Sequence, residues 1–107
     1  MAGTFETKLA ELGVTLPDAQ APAANYVHYV QVDDLVYVSG QISQNADGFI
    51  IGKLGDNMST EVGASAARTC AIALLAQVKA ACGGDLDRLV RVVKLSGFVN
   101  STQDYTE

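Results

Sequence analysis

The chain has 107 residues, enough for one domain, and nearly half of them are hydrophobic, which excludes a disordered chain. Its formal net charge is −5, with seven acids against two lysines in the first sixty residues and five against five thereafter. No lysine and arginine cluster interleaves with aromatics, so no phosphate-binding footprint is visible and no nucleic acid is expected as a partner. The N-terminus carries acids and lacks the apolar run of a signal peptide. No stretch approaches the ~20 apolar residues of a membrane span. The expected location is the cytoplasm, with no membrane partner.

In chain order, Phe5, Leu9 and Leu12 form one helical stripe, with Thr4 placed to cap it and Gly13 to stop it. Residues 16–25 read as a connector, because Pro17 and Pro22 prevent regular pairing. Residues 26–32 (YVHYVQV) read as a strand. Asp33-Asp34 is a tight polar turn into a second strand over 35–42, so the two form an antiparallel hairpin. Asn45-Ala46-Asp47-Gly48 is a second turn, and residues 49–51 return as a third strand. Gly40 falls inside the second strand. A mid-strand glycine marks a bulge or the close approach of a backbone or ligand.

Residues 52–57 read as a loop. Residues 59–82 are the clearest element, a helix with Ala67, Ala71, Leu74, Val78 and Ala81 down one side and Cys70 beside them. Ser59 or Thr60 caps it, Glu61 suits its first turn and Gly83-Gly84 ends it. Residues 85–89 read as a short helical turn. Residues 90–99 (VRVVKLSGFV) read as a strand with Gly97 as a second bulge, and residues from 101 on as the start of a helix. The two cysteines lie twelve residues apart in one helix, about 18 Å along its axis, too far for a bridge within it. With one histidine, no metal-ligand set exists and no metal is expected.

This order implies an α+β fold, a mixed sheet with helices packed on one face. The other face, including Val27, Val36 and Val38, would be exposed unless a further copy covers it, so the chain is expected to oligomerise. The chain stops at Glu107 as a new element begins. We therefore expect a longer protein, and poor solubility for residues 1–107 alone.

No self-sufficient catalytic motif is present, so no catalytic residue is assigned. Ser39 could offer its hydroxyl and Gly40 its backbone amide to a ligand; an ordinary serine in a sheet is the plain alternative. Tyr26 leaves a proline-rich connector where its phenol could reach a cleft, or could simply pack. His28 reads as a structural or surface histidine, and Arg68 as part of a solvated helix face.

Residues 22–27 (PAANYV) leading into VYVSGQIS, Ala66-Ala67-Arg68 within the helix, and KAACGGDLDRLVRVVKLSGFVN together resemble the RidA/YjgF family, over about residues 21–105. The resemblance implies a chorismate-mutase-like fold and a homotrimer with clefts between subunits. It divides the single domain into an N-terminal helix and connector (1–25) and a core (26–107) lacking its usual C-terminal part. It implies hydrolytic deamination of enamine and imine intermediates to 2-oxo acids and ammonia. No cofactor is needed, and a small-molecule carboxylate is the ligand. Tyr26, Ser39 and Gly40 match the family's substrate-binding tyrosine and Ser-Gly pair. The family's carboxylate-holding arginine and water-positioning glutamate would lie beyond Glu107. The alternative on the same scaffold is a non-catalytic binding or regulatory trimer. Some relatives carry the name endoribonuclease. Ser43 stands where many members have proline, and His28-Tyr29 where they often have Gln-Gly, which marks a subgroup.

Overall fold

The computed structural model describes residues 3–19 and 25–107. The middle of the expected connector, with Pro22, Ala23 and Ala24 of the family-like motif, lies outside the described residues.

Helix α1 (Thr4–Glu11) forms where the stripe predicts it, but its cap differs. Thr4 is the first helical residue rather than the cap, and Gly3 holds the cap position without a side chain to close the turn. The carboxylate of Asp87 does so from the other end of the chain, accepting from Thr4 N–H at 2.8 Å and Phe5 N–H at 2.9 Å. A cap needs only an anionic oxygen near the free amides, not one from the same segment. A β-carbon on Gly3 would meet that carboxylate, which would have to shift to make room for it. At the far end Gly13 takes φ +72°, and Val14 and Gly13 N–H donate to the Leu9 and Ala10 carbonyls in a Schellman closure. The stripe itself stays largely uncovered: Phe5 and Leu12 are exposed. An ion pair of 2.8 Å between Glu6 and Lys79 adds a second tie to the rest of the fold.

Strands β1 (Tyr29–Val32) and β2 (Leu35–Val38) form the expected hairpin, in register Val32 to Leu35 through Tyr29 to Val38. Asp33 takes φ 52° in the two-residue turn, a conformation aspartate tolerates better than most residues. Strands β3 (Gln44–Asn45) and β4 (Gly48–Phe49) form a second, shorter hairpin about Ala46-Asp47. The expected single strand over 35–42 therefore ends at Val38, and Gly40 sits beyond its end, not at a bulge.

Helix α2 (Thr60–Ala81) packs against β1, β2 and β3. Ser59 caps it, its hydroxyl accepting from Val62 N–H at 3.2 Å. Gly83 and Gly84, at φ +69° and +94°, close it by donating to the Ala80 and Lys79 carbonyls. Its inward face is rotated from the expected one. Ala66, Ala76 and Gln77 are buried and Leu74, Val78 and Ala81 half-buried, while Ala67 and Ala71 are exposed. Alanines lie on every side of this helix, so spacing alone does not select the face; contacts do. Thr69 helps, accepting from Gln44 N–H at 3.3 Å. The short 3₁₀ turn Leu86–Arg88 follows, with Leu86 only 1% exposed.

The expected strand over 90–99 is not formed. Strands exist by pairing, and among the described residues this segment has no ladder partner, so Gly97 marks no bulge. Val90, Val93, Leu95 and Phe98 are exposed, Phe98 at 98%. Only after it does the chain rejoin the body, where Leu54 N–H donates to Asn100 O and Thr102 N–H to Leu54 O. The expected C-terminal helix start is a single turn, Tyr105 N–H to Thr102 O at 3.3 Å.

The result is an α+β unit with two separate antiparallel ladders in place of one mixed sheet. Its surface is 8198 Å², against about 5,700 Å² for a compact monomer of its mass. Its radius of gyration is 15.3 Å, against about 13 Å for this length. Among the described residues, no helix is long and apolar enough to cross a membrane.

The capping geometry gives a first prediction. Asp87→Ala should lower unfolding free energy by about 1 kcal/mol and speed amide exchange selectively in residues 4–12. Unchanged exchange there would show that α1 does not depend on this carboxylate.

Candidate functional site

The site grows from the open end of the β1–β2 hairpin. Register places Ser39 opposite His28, one pair beyond the ladder, and Ser39 N–H still donates to His28 O at 2.7 Å. The reciprocal bond, from His28 N–H to Ser39 O, is not made. The Ser39 carbonyl accepts instead from the Gln41 side-chain amide at 3.3 Å. The Ser39 hydroxyl donates to the Val27 carbonyl at 2.7 Å. One residue thus closes the hairpin with both its amide and its hydroxyl.

The next amide is left over. Backbone amides alternate sides along a strand, so with Ser39 N–H facing β1 the Gly40 N–H turns away from it. Among the described residues it has no hydrogen-bond partner. Gly40 is exposed, and a β-carbon there would meet nothing within 4 Å. Its backbone lies outside the positive-φ region, so geometry does not demand glycine.

Tyr26 and His28 border this corner. Their rings meet edge-on, 5.9 Å between centroids at 87°, and Tyr26 is 42% exposed. His28 Nδ1 lies 3.3 Å from the same Gln41 amide nitrogen, and its Nε2 is buried without a partner among the described residues. The three residues singled out from the sequence therefore lie in one connected cluster, and two others join them. Gln41 was not singled out. The signal for it was its position two residues after Ser39, the same side of an extended chain. His28, read as a structural or surface histidine, is linked to the cluster through Gln41. Arg68 is exposed on α2, as read. Cys70 and Cys82 are free and half-buried.

The corner is an open wall. Two surface depressions lie along α1, one lined by residues such as Thr7 and Glu11 and the other by residues such as Leu16 and Lys79. Neither includes Tyr26, Ser39 or Gly40. Chemically, the wall offers the Gly40 backbone donor, the remaining acceptor capacity of a serine oxygen and a phenol. That set can hold a small polar ligand; with its proton committed to Val27, Ser39 is placed to hold and not to attack.

The fold and this corner define a small α+β unit with an open polar wall at a hairpin end. The family model for "YjgF/chorismate_mutase-like, putative endoribonuclease" matches residues 6–107, and the chain belongs to that family. The match begins within α1. The chain is 46% identical over 107 residues to Protein TCP17 of Trypanosoma cruzi, covering 99% of this chain and 66% of that one. It is similar to the crystal structure of Atu1372, a protein of unknown function from Agrobacterium tumefaciens. There the TM-score is 0.82 at 42% identity, over 94% of this chain and 62% of that one. A crystal structure from Shewanella oneidensis MR-1, named as a "putative endoribonuclease", matches with a TM-score of 0.72 at 32% identity, over 80% of this chain and 57% of that one. The chain thus spans roughly three fifths to two thirds of the length of these relatives.

The open space at Gly40 gives a second prediction. Gly40→Ala should leave folding stability within about 0.5 kcal/mol of the parent, or raise it slightly, because the added methyl meets nothing and stiffens the unfolded chain. Thermal unfolding measures this. A loss above about 2 kcal/mol would mean the corner is packed and closed.

Proposed function

We propose that the whole protein hydrolyses reactive enamine and imine intermediates to 2-oxo acids and ammonia, at a cleft that a second subunit completes. The observation that carries this reading is the Gly40 N–H, next to Ser39 in an exposed glycine and without a hydrogen-bond partner among the described residues. A 2-imino acid is small, planar and rich in acceptors, and a fixed backbone donor is the group that orients such a substrate at little entropic cost. The reaction adds water to the imine carbon and breaks the carbon–nitrogen bond, releasing ammonia and leaving a carbonyl. An imine is already electrophilic, so the site needs to position it and a water and little more.

In this reading Gly40 N–H donates to a substrate oxygen, the Ser39 oxygen accepts from the substrate nitrogen, and the Tyr26 phenol closes one side. Family resemblance assigns carboxylate binding to an arginine and water activation to a glutamate, both in the part of the relatives that these 107 residues do not span. The exposed apolar surface supports a multi-subunit site: Val30, Val32, Leu35 and Tyr37 on the hairpin, and the run over 90–99, are surfaces of the kind that further polypeptide covers. The acidic balance of the chain argues against a nucleic-acid substrate.

A binding or regulatory trimer is the second reading, favoured by the committed proton of Ser39. One assay separates the two. With an imine generated in situ by an amino-acid oxidase, the whole protein should release ammonia faster than the spontaneous rate, and Gly40→Ala should lower kcat/KM at least tenfold by obstructing the donor. Thermal stabilisation by 2-oxo acids without any gain in ammonia release would favour the binder. Neither response would exclude both.

A further inference from the structure

We infer that His28 is a positioning residue for the Gly40 amide and acts through Gln41; the inference rests on the Ser39–Gly40 corner being the substrate wall. The Gln41 amide nitrogen has two hydrogens and two partners: the Ser39 carbonyl and His28 Nδ1, each at 3.3 Å. Because that nitrogen donates, Nδ1 is the acceptor in this arrangement. The ring is braced in turn by its edge-on contact with Tyr26.

The consequence lies in one peptide unit. The Ser39 carbonyl and the Gly40 N–H belong to the same planar trans peptide and point in opposite directions. Whatever holds the carbonyl therefore aims the amide. A continuing ladder would have held it through His28 N–H; here the ladder has ended, and the Gln41 side chain takes that place. Gln41 is a long side chain with three rotatable bonds, and His28 Nδ1 is its second anchor. Without that acceptor the amide group can rotate away, and the peptide loses the hydrogen bond that keeps Gly40 N–H turned outward. The Nε2 atom, buried and without a partner among the described residues, fits this role better than a purely structural one. Such an orphan costs stability, and in a folded protein it calls for an explanation such as a functional role.

The test uses the whole protein with His28→Leu, His28→Gln and Gln41→Leu. Glutamine at 28 can accept through its side-chain oxygen and should restore what leucine removes. The first readout needs no ligand: the carbonyl carbon resonance of Ser39 and the amide resonance of Gly40. Both should move in His28→Leu and Gln41→Leu and return toward the parent positions in His28→Gln. The second is turnover of the in situ imine. His28→Leu should lower kcat/KM about tenfold, the worth of one orienting hydrogen bond, with His28→Gln within about threefold of the parent. A merely structural histidine would lower melting temperature in His28→Leu without moving the Ser39 and Gly40 resonances, and that result overturns the inference. Unchanged kcat/KM in an otherwise active His28→Leu protein overturns it too. If the parent protein shows no turnover, the imine reading falls by itself, and the resonances alone decide the inference.

Discussion

The hydrogen bonds of Ser39 decide where the first hairpin stops. Its amide makes the last ladder bond, its hydroxyl caps the Val27 carbonyl, and its own carbonyl leaves the ladder for Gln41. Sheet continuation past this point would engage the Ser39 carbonyl with His28 N–H and turn Gly40 into an ordinary strand residue. Instead the chain departs and reaches the second hairpin at Gln44, and the Gly40 N–H is left without a hydrogen-bond partner among the described residues. That single local choice separates the two ladders and produces the exposed corner.

The remainder of the fold is a platform for that corner. Helix α2 underlies both hairpins, and Leu54, 8% exposed, fills the space that Gly63 leaves bare beside it. Asp87 and the Glu6–Lys79 pair fasten α1 to the far end. These ties are polar and few, and the described core is small: Leu54, Ala66, Ala76 and Leu86 are its buried apolar residues. A unit with so little buried apolar area and so much exposed gains stability from whatever further polypeptide covers it. The exposed hairpin face and the unpaired run over 90–99 are where that cover would bind. The exposed hairpin is the one that ends at the corner, so cover of that hairpin and completion of the site are coupled in this account.

Much of this was legible in the sequence, for reasons that can be named. The Asp33-Asp34 turn fixes the register of β1 and β2, and two-residue turns leave little freedom. Ser59 and Gly83-Gly84 mark the ends of α2 through groups that act within a few residues. What was not legible depends on distant partners. Asp87 capping α1 joins residues more than eighty positions apart, and no local pattern signals it. The inward face of α2 could not be picked from a helix with alanine on every side. Residues 90–99 have strand composition, yet a strand needs a neighbour. Tyr26, Ser39 and Gly40 were found because a motif marked them. Gln41 was passed over although it lies inside that motif, because its importance comes from the carbonyl it holds and not from its own chemistry.

The central claim is that a small carboxylate ligand meets this chain at the Gly40 amide. The most direct measurement is a crystal structure of the whole protein soaked with 2-oxobutanoate. The account predicts a ligand oxygen within hydrogen-bond distance of Gly40 N, with the Ser39 hydroxyl still on Val27 O and Tyr26 beside the ligand. A fully occupied ligand bound elsewhere, with Gly40 N–H facing solvent or paired to another strand, would contradict it.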